Sequence, residues 1–354
     1  FVGGQVTSTI AKGIVDPQQF VHNNNELMYG MLASLLAAGI FLQVATTFGL
    51  PVSTTHAIVG AVAGFGMASR GFFSIEWETI GKIALSWVIS PISGGLLAFI
   101  LFKFIRRVVL DAHDSIRAAR RMLPIFTGIV AAIILLSVIY KGLKHWHLEL
   151  PINAALGYAA ALGIVVALTS RSFFARVLAK DKNRPFEAVE RAFRVLQVLT
   201  AAYVAFAHGA NDVANGIGPL AAIHAIYKDG EIKGTTFPMW ILALGGVGIV
   251  CGLAVFGTRV MKTIGGKITP ITASRGFVAE FAAATTVLVC TLYKMPVSTT
   301  HTLVGAVIGV GLARGLETLD LRVVRNIFAS WIVTLPAAVV LSATIFKIFQ
   351  WTLM

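Results

Sequence analysis

PVSTTHAIVGAVAGFGMA occupies residues 51–68, and PVSTTHTLVGAVIGVGLA occupies residues 296–313. The two stretches agree at 13 of 18 positions, and their first six residues are identical. Each copy sits in strongly apolar sequence, where hydroxyls and imidazoles need partners. Close packing of membrane helices accounts for small and hydroxylated residues in general. It does not require the same Pro, Ser, Thr, Thr and His in both copies. The duplication points instead to two half-sites drawn together from two internal repeats, as where discontinuous helices meet near a bilayer midplane.

The rest of the chain agrees with a membrane setting. Of its 354 residues, 56% are apolar and 13% charged, and the mean hydropathy is +0.81; soluble domains carry about 25% charged residues. The expected fold is all-α, a polytopic membrane protein of two inverted repeats with re-entrant or broken half-helices. Candidate spans lie at 26–50, 79–102, 123–140, 151–169, 195–208, 238–260, 273–293 and 325–349. The hexapeptide segments give shorter ones, at 51–69 and 296–313. A full crossing takes about 20 residues, so these two read as half-helices. Cys251 and Cys290 stand alone in apolar sequence, which argues against a disulfide framework or a zinc site.

The formal net charge of +13 resembles a nucleic-acid footprint until its placement is considered. Lys103, Arg106, Arg107, Arg117, Arg120 and Arg121 form one block. Arg171, Arg176, Lys180, Lys182, Arg184, Arg191 and Arg194 form another. Two apolar spans joined by KGLKHWHLEL separate the blocks, so both basic loops face one compartment. The positive-inside bias makes that side cytoplasmic, and the expected location is the plasma membrane. The charge is a topology signal with contact to anionic membrane lipid, and no nucleic-acid partner is expected.

The repeats extend beyond the hexapeptide. Gly3, Val6, Thr9, Ile10 and Ile14 match Gly257, Val260, Thr263, Ile264 and Ile268; Ser86-Trp87 matches Ser330-Trp331; FKF at 102–104 matches FKI at 346–348. The expected organisation is a first repeat over 1–104, basic loops with two connecting helices over 105–194, and a second repeat over 195–354. The first repeat has no counterpart of 195–254, so an N-terminal stretch of about 50 residues is expected to precede Phe1.

That stretch matters because its counterpart contains HGANDVAN at 208–215. A carboxylate at a membrane-helix centre costs about 2.5–3.5 kcal/mol on insertion scales, and Asp212 has no adjacent Lys or Arg. Asn211 and Asn215, four residues apart, share a helical face beside it. Amide carbonyls and one carboxylate form a hard-oxygen set suited to sodium; the competing reading is a polar packing patch. In PVSTTH, Pro followed by Ser and Thr reads as a helix start with Pro at the first helical position. Two such N-termini, with Ser53, Thr54 and Thr55 facing Ser298, Thr299 and Thr300, form a cradle for an oxyanion without a fixed cation. An anion held that way calls for a co-bound cation. His56 and His301 read as structural histidines or proton relays. Glu280 is a second intramembrane carboxylate, an ion ligand or a counter-charge to His301, and Gln43 is a weaker candidate of the same kind.

GANDVAN, two PVSTTH copies and a central basic loop together resemble the inorganic phosphate transporter (PiT) family of sodium- or proton-coupled phosphate permeases. The resemblance spans nearly the whole chain. It implies two inverted repeats, phosphate bound between them and cation coupling; the Asn-rich set around Asp212 favours sodium ions as coupling ions, and no cofactor or enzymatic role is expected. The family signature falls on Gly209–Asn215, and its phosphate-cradling segments on Ser53–Thr55 and Ser298–Thr300. The first GANDVAN copy is absent from this sequence. Proton-coupled uptake of phosphate or a metal–phosphate complex is the nearest alternative. A passive anion channel leaves Asp212 unexplained, and an intramembrane enzyme lacks a nucleophile–base pair in reach. A homodimer is left open.

Overall fold

The computed structural model describes residues 7, 9–10, 13–21, 23–139, 150–179, 184–230, 232, 238–293 and 297–354. Pro296, most of KGLKHWHLEL, Lys180, Lys182 and the first part of the N-terminal repeat match lie outside the described residues. Among the described residues the only β contact is an isolated bridge between Val15 and Ile75; everything else regular is helical.

The helices are α1 Asn24–Thr47, α2 Thr54–Arg70, α3 Trp77–Ile105, α4 Ser115–Ser137, α5 Ile152–Ala179, α6 Pro185–Asp229, α7 Met239–Lys262, α8 Ala273–Leu292, α9 Thr299–Arg314 and α10 Leu321–Thr352. Seven segments among the described residues are long and apolar enough to cross a membrane; they contain α1, α3, α4, α5, α7, α8 and α10. α7 buries little beyond Ile241 and Leu242, leaving Val250 and Val255 about two-thirds exposed, as suits a lipid-facing helix.

The hexapeptides begin α2 and α9, with one correction. Proline is not the first helical residue: Ser53 and Ser298 are the N-caps, each accepting a hydrogen bond at Oγ from the backbone N–H of the histidine three residues on, at 3.1 Å. Thr54 and Thr299 therefore open the two helices. At 17 and 16 residues these rise about 25 Å, short of the roughly 30 Å hydrocarbon core.

Each short helix forms a hairpin with its predecessor, and the two hairpins enter from opposite ends of α6. The base of α1–α2 lies at the C-terminal end of α6, where Asn24 Nδ2 donates to Gly230 O at 2.6 Å. Arg70 and Ser69 at the end of α2 bind Glu26 at the start of α1, closing that base. The base of α8–α9 lies at the other end: Glu190 accepts from Ser274 N at 2.9 Å and from Ser274 Oγ at 2.6 Å. Gly230 stands 40 residues beyond Glu190, about 60 Å of helical rise. This antiparallel insertion is the inverted repeat in physical form.

The repeats are interleaved rather than side by side. α10 of the second half packs on α1 and α2, and α3 of the first half packs on α8 and α9. Glycines set both contacts. A Cβ at Gly60 would press on the Leu335 carbonyl and one at Gly64 on the Val339 carbonyl. Gly305 and Gly309 meet the Pro91 and Gly95 carbonyls in the same way. The four contacts are related by the repeat, so backbone approaches backbone twice with one geometry. Gly309→Leu is expected to force α9 from α3 and lower stability by about 1–3 kcal/mol or more. Thermal unfolding in detergent, read beside Gly39→Leu at a position with open space around its Cα, checks this.

Candidate functional site

α6 continues unbroken through HGANDVAN, where hydropathy alone ends a span near residue 208. The polar residues remain helical because their side chains are satisfied by the hairpin tips. Asp212 stands 22 residues beyond Glu190 and 18 before Gly230, near the middle of the helix. Both tips meet it there.

Asp212 is buried, and one of its oxygens, Oδ2, accepts from the first residue of each short helix: Thr54 Oγ1 at 3.1 Å and Thr299 Oγ1 at 2.8 Å. A carboxylate facing two helix N-termini gains from both partial positive charges. Each threonine is itself supplied from α6. Asn215 Nδ2 donates to Thr54 Oγ1 at 3.1 Å and to Thr55 Oγ1 at 3.2 Å. His208 Nδ1 lies 3.1 Å from Thr299 Oγ1, and since that hydroxyl gives its proton to Asp212, it accepts from the imidazole. His208 Nδ1 also approaches Asp212 Oδ2 at 3.3 Å.

Asn211 Nδ2 bridges Asp212 Oδ1 at 2.9 Å and the Val297 carbonyl at 2.7 Å; Thr55 Oγ1 donates to the same carbonyl at 3.2 Å. The amide groups of Asn211 and Asn215 thus spend their N–H donors on Asp212 and the tips. Their carbonyl oxygens, Asn211 Oδ1 and Asn215 Oδ1, are buried without a hydrogen-bond partner. Two orphan amide oxygens beside a carboxylate fit a hard monovalent or divalent cation. No group of three or more His, Cys, Asp or Glu suited to a transition metal occurs among the described residues.

The other expected residues divide. Ser53 and Ser298 are spent as N-cap acceptors, and Thr300 is half-buried beside Thr299. His56 and His301 pack ring against ring with centroids 4.4 Å apart. His56 lies on Trp87 at 3.6 Å, and His301 stacks on Trp331 at 3.5 Å. Both His56 ring nitrogens and His301 Nε2 are buried without a hydrogen-bond partner, and the faces of Trp87 and Trp331 cover the rings. Trp331 Nε1 donates to Pro51 O at 3.0 Å, pinning the first tip. The four rings join the α1–α2–α10 group to the α3–α8–α9 group.

Glu280 is not at this site and does not face His301. Its carboxylate accepts from Thr200 Oγ1 at 2.6 Å, and Thr200 lies 12 residues before Asp212, about 18 Å along α6. Gln43 is exposed about one turn before the end of α1, and its side chain takes no part in the contacts at Asp212. Sequence reasoning missed the roles of His208, the Val297 carbonyl and the two tryptophans. His208 carried a usable signal, one helical turn before Asp212; Trp87 and Trp331 carried another, as a matched pair in the repeats.

Comparison with known proteins adds to this geometry. The model of the phosphate transporter family matches residues 1–342. The chain belongs to the phosphate transporter family. It is 47% identical over 349 residues to a protein of Pyrococcus abyssi named as a candidate phosphate permease, covering 98% of this chain and 85% of that one. It is 42% identical over 380 residues to the chloroplastic inorganic phosphate transporter 2-1 of Arabidopsis thaliana, covering 99% and 63%. A solved structure titled as the sodium-dependent phosphate transporter superposes with a TM-score of 0.90 at 38% identity, over 99% of this chain and 88% of that one. As a member of this family the protein is a transporter rather than an enzyme, and a multi-pass membrane protein.

The paired threonines give a direct test of the site. Thr54→Val and Thr299→Val each remove a hydrogen bond to a buried carboxylate and are expected to cost about 1.5–3 kcal/mol. Thr→Ser at either position retains the hydroxyl and most of that stability. Thermal unfolding of the four variants checks the difference.

Proposed function

We propose that the protein imports inorganic phosphate by sodium-coupled symport with alternating access. The observation that carries this reading is the Asp212 carboxylate between two helix N-termini, with two orphan amide oxygens at its side. Sodium, as co-substrate, is held by Asp212, Asn211 and Asn215. Phosphate is held by the N-terminal N–H groups of α2 and α9 and the hydroxyls of Ser53, Thr54, Thr55, Ser298, Thr299 and Thr300.

Charge gives the coupling. Two unit negative charges roughly 4 Å apart repel by about 4 kcal/mol at an effective dielectric near 20. Phosphate therefore enters beside Asp212 only when a cation offsets the carboxylate. By linkage, each ligand then raises the affinity for the other. Residues 1–104 and 195–354 act as the two transport repeats, with 105–194 connecting them. Alternating access is a rocking of the α1–α2–α10 group against the α3–α8–α9 group about the stacked rings, with the basic loops cytoplasmic and the protein in the plasma membrane. The name of the similar solved structure supports sodium as the coupling ion.

Proton coupling is the second reading, favoured by His208 Nδ1 at 3.3 Å from Asp212. Phosphate uptake into proteoliposomes under separate sodium, potassium and proton gradients separates the two. Sodium-driven uptake is expected, falling at least about a hundredfold in Asp212→Asn, the equivalent of about 2.7 kcal/mol. Uptake that follows the pH gradient alone and is lost in His208→Gln transfers coupling to the histidine. Flux indifferent to every cation gradient overturns symport.

A further inference from the structure

The arginines nearest the start of α4 and the end of α5 do more than mark topology. Arg117, Arg120 and Arg121 of α4 and Arg171 of α5 line one open cavity of about 580 Å³, together with Ser172 and Ile125. The cavity brings residues of both basic segments together, which places these two segments on one side of the molecule. Arg117 is paired with Asp114 at 3.3 Å. Arg120, Arg121 and Arg171 have no ion pair or hydrogen bond among the described residues, and all three are exposed. Three unpaired guanidinium groups converging on one recess repel each other. Their shared field favours an anion in the recess.

The surface below the arginines identifies the kind of anion. Arg121, Ile125 and Ile129 follow at i, i+4 and i+8 on α4, and Ile125 and Ile129 are 45% and 46% exposed. On α5, Leu168 and Ile164 lie one and two turns before Arg171 and are 53% and 61% exposed. The two helices are in backbone contact at Gly128 and Gly163, about 10–12 Å of rise from the arginines. A polar recess for phosphate thus opens onto apolar surface that runs away from it along both helices. A free phosphate ion has no use for that apolar surface. A lipid with an anionic phosphate headgroup uses both.

We propose that the cavity between α4 and α5 is a binding site for an anionic phospholipid, with the headgroup phosphate held by Arg120, Arg121 and Arg171 and an acyl chain along Ile125 and Ile129. Bidentate Arg–phosphate contacts supply the headgroup recognition, in keeping with basic pockets between membrane helices on the side that faces anionic lipid. The site is separate from the tips at Asp212, and it stands whether or not transport is sodium-coupled.

The test uses the full chain in detergent, with thermal unfolding and native mass spectrometry in the presence of phosphatidylglycerol, phosphatidylcholine or inorganic phosphate alone. Phosphatidylglycerol is expected to bind and raise the unfolding temperature, and phosphatidylcholine to do neither. R120Q/R121Q/R171Q is expected to weaken phosphatidylglycerol binding at least about tenfold. R120K/R121K/R171K keeps the charge that guides membrane insertion but loses the guanidinium forks, and is expected to weaken binding severalfold. Equal binding of the two lipids, or undiminished phosphatidylglycerol binding in both triple variants, overturns the proposal. A stabilisation by inorganic phosphate that disappears in R120Q/R121Q/R171Q assigns the cavity to a free anion and also overturns it.

Discussion

The structure depends on a buried carboxylate that belongs to neither hairpin. Asp212 sits on α6, and the first residue of each short helix points its hydroxyl at the same oxygen atom, Oδ2. A lone carboxylate in an apolar interior is costly to ionise. Two helix N-termini and two hydroxyls compensate it, with no lysine or arginine among the described residues at its side. That arrangement requires both hairpins to stop at mid-depth, and therefore to be entered from opposite sides. The serine caps, the short lengths of α2 and α9 and the swap of α3 and α10 between halves all serve that one meeting point.

The interleaving follows from how short helices are held in a membrane. α2 and α9 begin where no lipid headgroup anchors them, so close backbone packing must fix their positions. Gly60 and Gly64 lie on α10, and Gly305 and Gly309 on α3, each against a backbone carbonyl. Dispersion at such distances acts over the whole contact, and small residues make the approach possible. The groups formed in this way, α1–α2–α10 and α3–α8–α9, touch through the rings of His56, His301, Trp87 and Trp331. Stacked rings slide at less cost than a hydrogen-bonded contact breaks, which suits the rocking proposed for this boundary.

Much of this was legible in the chain itself, because the duplication preserved it. The paired hexapeptides declared two half-helices, and Asn211, Asp212 and Asn215 declared a polar centre needing partners. Hydropathy misjudged α6, since a helix whose polar stretch is covered by two hairpin tips looks interrupted when read alone. It also had no means of placing Gln43 or Glu280. In a soluble protein, periodicity separates a buried face from a wet one; in a membrane both faces are apolar, so the face a polar residue occupies is decided by packing alone. Gln43 is exposed on α1, and Glu280 turns to Thr200. The Val297 carbonyl, which joins Asn211 to Thr55, was out of reach for a simpler reason: backbone atoms leave no trace in residue identity.

Among the described residues no lysine or arginine takes part in the tip site, and that has a physical logic under the proposed symport. A guanidinium beside two helix N-termini would hold a divalent anion firmly in every conformation, and tight binding that never relaxes stops turnover. A cation that arrives with the anion and leaves with it offsets Asp212 only while both are present. The buried, unpartnered carbonyl oxygens of Asn211 and Asn215 would hold such an ion without adding charge. Arg120, Arg121 and Arg171 stand elsewhere, along α4 and α5, where under the proposed lipid site a permanent attraction for phosphate groups serves anchorage rather than passage. Fixed cations where phosphate is to stay and mobile cations where it is to pass are one electrostatic rule applied at two depths of the same protein.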